Sequence, residues 1–395
     1  MRSLPSEGEK TKVIQLGCGI TGLVCAEHLA KNAKVDEIVL ADSRIEAAKA
    51  MVSRVRSEKM STLKTDGTNP SELRKLMKGC DLIVSSLPWE LNRKVLDVAA
   101  STGTDYVDFC LTAESEEDLK SAIAKCRKAG IRALTATGED PGISDVFAVH
   151  GASKLDKAEE AHVRDGDSGV AEGSEFFSLW SPIDLLEETT VPAAVFKNGK
   201  MTFVPPLDKR ETYEFPPPVG SLPVYYTNHE ETYLMPRFIK GLRNADFQIA
   251  IDDNFASIAR MLRKLGLHSL KPIDVKGVKV RPLDVVVSLM PRPVDLIGKV
   301  KGHAVIVVDV VGEKDGVKKN VKMWTMMSHE RAFELCNTNA TGYLVGSGGA
   351  VAAEMLIEGE VKECGLLAPE QLPADKFLAR LPSKGLKVEE RITNI

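Results

Sequence analysis

The chain has 395 residues, of which 43% are hydrophobic and 27% charged, and its formal net charge is −4 at pH 7. This length exceeds one ordinary hydrophobic core, so we expect two domains, and the composition argues against extensive disorder. A slightly negative chain lacks the basic field that attracts nucleic acid or an anionic membrane. Because the N-terminus is polar and no apolar run is long enough to span a bilayer, we expect a cytoplasmic protein.

The first predicted elements form a dinucleotide-binding fingerprint. A short apolar strand precedes the Gly-x-Gly-x-x-Gly motif of Gly17, Gly19 and Gly22, and Asp42 ends the next apolar strand. Gly17 is expected to make the tight turn, Gly19 to let a pyrophosphate approach the backbone, and Gly22 to bring the helix close to the strand. The helix predicted over residues 21–31 points its N-terminal dipole at the phosphates.

Asp42 also indicates the coenzyme. Its carboxylate accepts hydrogen bonds from ribose hydroxyls and repels a 2′-phosphate, which favours NAD, whereas Arg44 keeps NADP open. The predicted cofactor contacts beyond the three glycines and Asp42 are Ile20, Thr21, Ser43, Arg44, Asp66, Ser86, Leu87, Pro88 and Phe109.

Strand and helix patterns alternate through residues 1–150, which predicts an α/β domain with a Rossmann-type, doubly wound parallel sheet. Further strands are predicted at residues 62–66, 81–86, 105–110 and 131–137, and further helices at 45–55, 71–77, 91–100 and 116–129.

Residues 151–336 have a different pattern, typical of a mixed α/β domain that binds substrate and forms a dimer. An Asn-Gly turn predicts a hairpin at 195–203, and residues 303–311 and 317–326 predict a longer one, with a long edge or face that is available to a second subunit. We also expect a strand at 176–180, a helix at 182–188, a Pro-rich connector at 214–223 and a helix at 255–265.

Residues 337–395 return to helical texture. The glycines at 346–349 have two interpretations, a second phosphate loop or part of a helix over 340–356. No suitable strand precedes them, so we favour a helix that packs closely on the nucleotide-binding domain.

Ligands of a doubly wound sheet bind at the carboxyl ends of its strands, where several candidate residues are expected. Asp140 has the position of a helix N-cap, and it can also contact a substrate amine. Trp89 and Trp180 are either fillers between domains or walls of the nicotinamide and substrate pocket. The seven cysteines form no C-x-x-C pair, which favours free thiols and predicts no metal site.

Two basic residues lie in a segment predicted as a loop. Most basic side chains are simply solvated, but Arg237 is suited to bind a substrate carboxylate with its planar fork, and His229 to assist proton transfer. An amino-acid substrate brings a carboxylate into a partly dry cleft, and some cation must meet it.

The order of several short motifs resembles that of the saccharopine dehydrogenase and lysine 6-dehydrogenase family, over roughly residues 12–372. The resemblance implies a Rossmann domain completed by the C-terminal return, an inserted substrate and dimerisation domain, and NAD(P)-dependent oxidation of a CH–N bond in a lysine-derived amino acid. It also implies that Trp89, Cys110 and Trp180 line the substrate and cofactor. Besides the glycine fingerprint, the motifs are Leu-Pro-Trp at 87–89, Gly-Glu-Asp-Pro-Gly-Ile at 138–143, Leu-Trp-Ser-Pro at 179–182, Lys-Asn-Gly-Lys at 197–200 and Gly-Leu-Leu-Ala-Pro-Glu at 365–370.

One departure bears on the substrate. The fungal saccharopine enzymes of this family have an arginine near the position of His229, so the histidine favours a smaller amino acid such as lysine. A carboxyspermidine-type polyamine dehydrogenase and a non-catalytic NAD(P) sensor are the alternatives. We expect a homodimer with a small-molecule substrate and no nucleic-acid or membrane partner.

Overall fold

A computed structural model describes residues 11–113 and 115–395. The described residues form two compact units. The first unit contains the described residues up to Val146 together with Tyr343–Lys387, and the second contains Phe147–Gly342 and Val388–Ile395. The chain therefore passes between units close to, but not at, the expected boundaries of 150 and 336.

The N-terminal part alternates strands and helices as predicted, with most predicted bounds matched to within a few residues. Its elements are β1 Lys12–Leu16, α1 Gly22–Lys31, β2 Glu37–Asp42, α2 Glu46–Val55, β3 Met60–Lys64, α3 Pro70–Met77, β4 Leu82–Ser85, α4 Trp89–Thr102, β5 Asp105–Asp108, α5 Glu116–Ala129, β6 Arg132–Leu134 and α6 Ile143–Ser153.

The middle of the chain is richer in antiparallel strands. Its elements are β7 Lys157–Asp167, β8 Val170–Ala171, α7 Pro182–Glu188, β9 Ala193–Lys197, β10 Lys200–Val204, β11 Glu211–Phe215, β12 Gly220–Tyr226, α8 Glu231–Phe238, β13 Asn244–Ala250, α9 Asp253–Leu265, β14 Ile273–Val275, β15 Val278–Val280, α10 Pro282–Leu289, β16 Val300–Lys301, β17 His303–Lys314, β18 Val317–Ser328 and α11 His329–Cys336. The C-terminal elements are α12 Ala340–Ile357, β19 Gly365–Leu367, α13 Ala374–Leu378 and β20 Glu389–Asn394.

The first unit is built on a seven-stranded sheet in the order β19-β6-β5-β4-β1-β2-β3. All of its pairings are parallel, which confirms the predicted doubly wound fold. The chain leaves β1 for β2 on one side and returns to β4 on the other, so the switch point of the topology lies between β1 and β4. This is where a doubly wound sheet opens a crevice for a ligand.

The glycines of α12 let this helix pack directly against the first unit. A Cβ added at Gly346 would lie 2.5 Å from the carbonyl oxygen of Thr21, one at Gly348 only 2.1 Å from that of Gly138, and one at Gly349 only 2.0 Å from the ring of Phe109. The predicted helix, rather than a second phosphate loop, is confirmed. Side chains at these three glycine positions would prevent the helix from approaching its neighbours so closely.

In length and mean hydropathy, α12 also resembles a membrane span, although the sequence analysis found no such apolar run. Within the described residues it is the one helix with this property, and 83% of its apolar window is buried inside the protein. Such burial is that of a core helix in a folded domain.

A mixed sheet of nine strands forms the second unit. Its main order is β10-β9-β13-β7-β17-β18-β20, and the hairpin of β11 and β12 joins through β13. The central strand β7 pairs in parallel with β13 and antiparallel with β17. The sequence analysis missed β7 because it carries many charged residues, among them Arg164, which is bonded to Asp246 of β13 at 2.6 Å.

Three expectations for the second unit are wrong. Residues 176–180 are irregular rather than a strand. The ring of Phe176 stacks on Phe255, whereas Phe177 and Trp180 pack against a different apolar cluster. The Pro-rich segment 214–223 is not a connector, because it contains the end of β11, the turn at 216–219 and the start of β12, which pair as a hairpin. The outer edge of β18 is not open to a second subunit, because β20 pairs with it from Trp324 to Lys319, whereas a dimer contact through the face of the hairpin stays a prediction. That strand also places the chain end in the second unit, although residues 337–395 were expected to return to the first.

The Asn-Gly hairpin matches its prediction closely. Asn198 and Gly199 have φ angles of 50° and 77° between β9 and β10. Positive φ at both central residues is what a type I′ turn demands, and it explains why this dipeptide marks the turn.

Gly349→Ala tests the packing of α12. In an isolated helix this change stabilises by about 0.5–1 kcal/mol, but the new Cβ collides with the Phe109 ring, and such overpacking costs about 1–3 kcal/mol. We therefore expect a lower free energy of unfolding in a denaturant titration. The sign of the change in unfolding free energy is decisive, because a more stable variant would mean that the Phe109 ring moves aside at no cost.

Candidate functional site

At the switch point, three residues are joined by hydrogen bonds. The hydroxyl of Ser86, just after β4, donates to the carbonyl oxygen of Gly17 at 2.8 Å, and the buried amide of Gln15 donates to the same carbonyl at 3.2 Å and to Ser86 Oγ at 3.1 Å. Gly17 has a φ of 87°, a left-handed conformation that favours glycine. The sequence analysis named Ser86 but not Gln15, whose signal is a polar residue inside an apolar strand.

The other two glycines differ in their surroundings. A Cβ at Gly22 would lie 2.2 Å from the Gly17 carbonyl oxygen and 2.3 Å from Ser86 Oγ, so the helix approaches the strand as closely as predicted. A Cβ at Gly19 would meet nothing within 4 Å. The loop is thus closed on its inner side and open on its outer side, where a phosphate can reach the backbone.

The first turn of α1 lies beside this opening. Thr21 precedes its first residue and makes no side-chain capping bond. The backbone N–H of Leu23 already donates to the carbonyl oxygen of Gly19 at 3.2 Å. A helix end without a capping side chain offers its other first-turn donors to an anion such as a dinucleotide pyrophosphate. Glycine loop and helix end therefore fit the group that the fingerprint predicts.

Asp42 ends β2 next to the same loop. Its Oδ2 accepts from the backbone N–H of Cys18 at 2.7 Å and its Oδ1 from that of Arg44 at 2.7 Å. Each carboxylate oxygen retains a second lone pair for a ribose hydroxyl. Ser43 and Arg44 are exposed at this end of the sheet.

The remaining predicted cofactor residues lie along the same carboxyl edge. Asp66 follows β3, where it is exposed and accepts two hydrogen bonds from Thr68 at 2.9 and 2.7 Å, so a turn already occupies part of its carboxylate. Leu87 and Pro88 connect β4 to α4, whose first residue is the half-buried Trp89. Phe109 is buried against Gly349, and Ile20 and Thr21 border the open glycine loop.

A buried carboxylate organises the end of β5. Asp108 is fully buried and accepts from the hydroxyl of Tyr106 at 2.6 Å, from the backbone N–H of Ala136 at 3.0 Å and from the hydroxyl of Thr112. Burial raises the pKa of Asp108 to about 7, against the lowering effect of these donors. The network holds the segment after β5 in place, including Cys110, which the resemblance assigns to the substrate.

Asp140 is not the helix cap that the sequence predicts. Helix α6 begins at Ile143, because Gly142 adopts a φ of 138° that interrupts helical geometry before it. The side chain of Asp145 accepts from the backbone N–H of Gly142 at 2.8 Å instead. Asp140 is half-buried at the edge of the sheet, so its proposed contact with a substrate amine stays a prediction.

In the second unit, the three predicted residues have different surroundings. Trp180 packs beside a small apolar cluster that includes Leu179 and Leu296, and its place in the substrate pocket stays a prediction. Arg237 lies in the last turn of α8, not in a loop, and it is exposed. Its exposure does not match a partly dry carboxylate site. His229 is buried, and its ring stacks on Phe247 with centroids 3.9 Å apart.

His229 lies among carboxylates. Its Nδ1 is hydrogen-bonded to the fully buried Glu231 and is 3.7 Å from Glu230. Glu188, at the end of α7, and Asp165, on β7, belong to the same electrostatic group. We name this set the acidic cluster: Asp165, Glu188, Glu230 and Glu231.

The acidic cluster changes the ionisation of its members. Burial by itself lowers the pKa of His229, but the carboxylates, Glu231 foremost, raise it well above its ordinary value. Burial raises the pKa of Glu188 strongly, and burial together with Asp167 raises that of Asp165. This raised pKa favours the protonated imidazolium of His229, which donates a proton and does not act as a general base.

Comparison with known proteins supports this assignment of the two units. The model of the saccharopine dehydrogenase NADP binding domain matches residues 13–134, and that of the saccharopine dehydrogenase C-terminal domain matches residues 138–386. Among curated proteins, the chain is 26% identical to carboxyaminopropylagmatine dehydrogenase of Synechocystis sp., over 96% of this chain and 97% of the relative. It is 28% identical to carboxynorspermidine synthase of Vibrio cholerae, over 95% of each.

Two solved structures share the fold. Apo saccharopine dehydrogenase (L-Glu forming) of Saccharomyces cerevisiae matches with a TM-score of 0.75 and 18% identity, over 97% of this chain and all of that one. Homospermidine synthase of Legionella pneumophila in complex with NAD matches with a TM-score of 0.71 and 14% identity, over 98% of this chain and 92% of that one.

Gly19→Ala separates coenzyme binding from folding. The added Cβ enters open space, so the unfolding temperature should stay at the wild-type value. A pyrophosphate held by charge-assisted bonds of about 1.5–3 kcal/mol should bind at least about tenfold more weakly, as measured by coenzyme titration. Gly22→Ala is the control, since its Cβ collides with Gly17 and should lower both stability and affinity. Wild-type coenzyme affinity in Gly19→Ala would contradict the assignment.

Asp108→Asn tests the buried carboxylate through pH. The folded pKa of about 7 lies above the ordinary value of 3.8, so this group's contribution to stability is complete below pH 3.8 and is lost as pH rises through 7. At about 1.4 kcal/mol per pKa unit, wild-type unfolding free energy should fall more steeply between pH 5 and 8 than that of the variant. Asp66→Asn, exposed and already ionised there, should keep the wild-type slope. Equal slopes for all three proteins would refute the shift.

Proposed function

We propose that this chain, which belongs to the saccharopine dehydrogenase family and is an NAD(P)-dependent oxidoreductase, acts on the secondary amine of a carboxylated polyamine. The bond that changes is the CH–N bond between a carboxylate-bearing chain and an amine-rich chain. This is the alternative that the sequence analysis named after lysine and saccharopine, and it now leads.

One carboxyl group of the acidic cluster carries the proposal: Oε2 of the buried Glu188 has no hydrogen-bond partner among the residues that the structure describes. Buried acids with raised pKa values are costly unless a cation joins them. An ammonium or guanidinium group of a polyamine supplies that cation and lets Glu188 ionise. A lysine-sized substrate brings one such group beyond its reacting amine, whereas a polyamine brings several.

The names of the similar curated proteins agree with this chemistry. Carboxynorspermidine and carboxyaminopropylagmatine both combine a carboxylate with an amine or guanidine chain, and both relatives align over nearly their whole length. His229 is the buried cation that best suits the substrate carboxylate, in place of the exposed Arg237.

The first unit holds the coenzyme in this proposal. Gly19 and the start of α1 would bind the pyrophosphate, and Asp42 the adenosine ribose. When bound, a nicotinamide coenzyme supplies or accepts the hydride for the carbon that bears nitrogen. Trp89, Cys110 and Asp140 are proposed to face the substrate, with Asp140 close to its amine.

We also propose a homodimer, although not through the outer edge of β18. The strands at the ends of the second sheet are β10 and β20. Each exposes a large apolar side chain, Phe203 at 62% and Ile392 at 47%, and pairing with a second copy is one way to cover such an edge.

A substrate panel tests the proposed function. We expect kcat/KM for carboxynorspermidine or carboxyaminopropylagmatine to exceed that for lysine and saccharopine by at least about tenfold, the discrimination that one lost charge-assisted bond provides. The absorbance of reduced coenzyme is followed in both directions. Glu188→Gln should raise KM for the polyamine, and Glu172→Gln, an exposed acid outside the acidic cluster, should not.

Preference for lysine or saccharopine would overturn the substrate assignment. No turnover across the panel, with coenzyme binding intact, would favour the non-catalytic sensor instead.

Coenzyme choice is a separate prediction. Because Asp42 repels a 2′-phosphate, kcat/KM should be at least about tenfold higher with NAD than with NADP. The two coenzymes are compared at a fixed, saturating amine concentration. A tenfold preference for NADP would assign the exposed Arg44 to the phosphate and refute this prediction.

A further inference from the structure

A recess of about 510 Å³ lies in the second unit between the end of α7, the segment after β10 and the end of α9. It is lined by Thr189, Pro206, Arg260, Arg263, Lys264 and His268. Three of these six residues are permanent cations, and among the described residues that line it none is acidic. We propose that the recess binds the phosphate group of a small phosphorylated molecule.

Arg260 is held in position before any ligand arrives. Its Nη2 donates to the carbonyl oxygen of Leu207 at 3.0 Å, and its guanidinium lies over the ring of Tyr225, 5.4 Å from the centroid. A fixed guanidinium loses little side-chain entropy when it binds an anion. Its remaining N–H groups are donors for a phosphate oxygen.

The acid at the start of α9 is bonded chiefly to Arg210, and Arg260 of the recess acts on it more weakly. Asp253 makes two bonds with Arg210, at 2.7 and 2.8 Å, and accepts from the hydroxyl of Tyr225 at 2.5 Å. Arg210 and Tyr225 lower the pKa of Asp253 to about 2. Its charge is therefore balanced by Arg210.

Arg263 and Lys264 are exposed in the last turn of α9. Neither makes an ion pair within the described part of the chain. Basic residues at this end of a helix also complement its dipole, which by itself accounts for them. What distinguishes this pair is the recess beside it.

His268 adds a half-buried imidazole to the lining of the recess. Its Nδ1 is buried and has no hydrogen-bond partner among the residues that the structure describes, so a ligand in the recess does not reach this atom. The other ring nitrogen, Nε2, is the group that can donate to a phosphate oxygen.

Phosphate suits this arrangement better than carboxylate. Three separate cations and an imidazole surround one space, and a phosphate dianion offers three terminal oxygens in three directions, whereas a carboxylate matches a single planar fork. The volume is that of a small-molecule pocket, so an organic body attached to the phosphate has room. The inference does not depend on the proposed function, since none of the six residues belongs to the acidic cluster.

The test is calorimetric titration of the full chain with inorganic phosphate, in the presence of saturating NAD so that the nucleotide edge is occupied. We expect one saturable phosphate per chain. Arg263→Gln/Lys264→Gln should weaken it at least about tenfold, as loss of charge-assisted bonds predicts, and His268→Phe should weaken it as well.

The matched control is Arg74→Gln/Lys75→Gln. This pair occupies the last turn of α3, is exposed, and has the same residue types and charge, so it should leave phosphate binding unchanged. Both double variants should unfold at the wild-type temperature. Absence of saturable binding, equal loss in both double variants, or acetate binding as tight as phosphate would each overturn the proposal.

Discussion

The contact between Gly17, Gly22, Ser86 and Gln15 determines the shape of the nucleotide edge. Here two strands end and a helix begins in direct contact with one another. A Cβ added at Gly22 would lie 2.2 Å from the Gly17 carbonyl oxygen, so no side chain fits at this position. Because the helix is pressed against the strand, the outer side of the loop is left open. The opening at Gly19 is thus a result of close packing on the opposite side.

A second steric constraint adds to the first. The glycines of α12 allow this helix to pack against Gly138 and Phe109, which fixes the segments that follow β5 and β6. Asp108 holds the same segments through hydrogen bonds. The edge where substrate and coenzyme are proposed to meet is supported by packing and by a buried polar network at once.

Much of the first unit is predictable from sequence because its signals are local. Ser115 caps α5 and Gly130 ends it, and both residue types indicate these positions within a few residues of chain. The central strands, such as β1 and β4, are buried on both faces, so they are easily recognised as apolar runs, whereas the edge strand β3 is largely exposed.

The second unit yields less to such analysis because its strands carry buried charges. Arg164 on β7 is balanced by Asp246, 82 residues farther along, and no local pattern reports a partner at that separation. The acidic cluster has the same origin, since Glu188 and His229 meet only when the sheet forms. Arg237 was expected in a loop because Pro236 precedes it, yet the helix tolerates this proline in its last turn.

Asp42 has two tasks that are usually considered separately. Its carboxylate ties the backbone of Cys18 to the end of β2, and it is also the residue proposed to read the adenosine ribose. An engineer who replaces it to admit a phosphorylated coenzyme removes an anchor of the glycine loop at the same time. Redesign of coenzyme use in this protein therefore requires a second substitution that restores the lost hydrogen bond to the backbone. Variants that replace Asp42 alone should have a less ordered glycine loop.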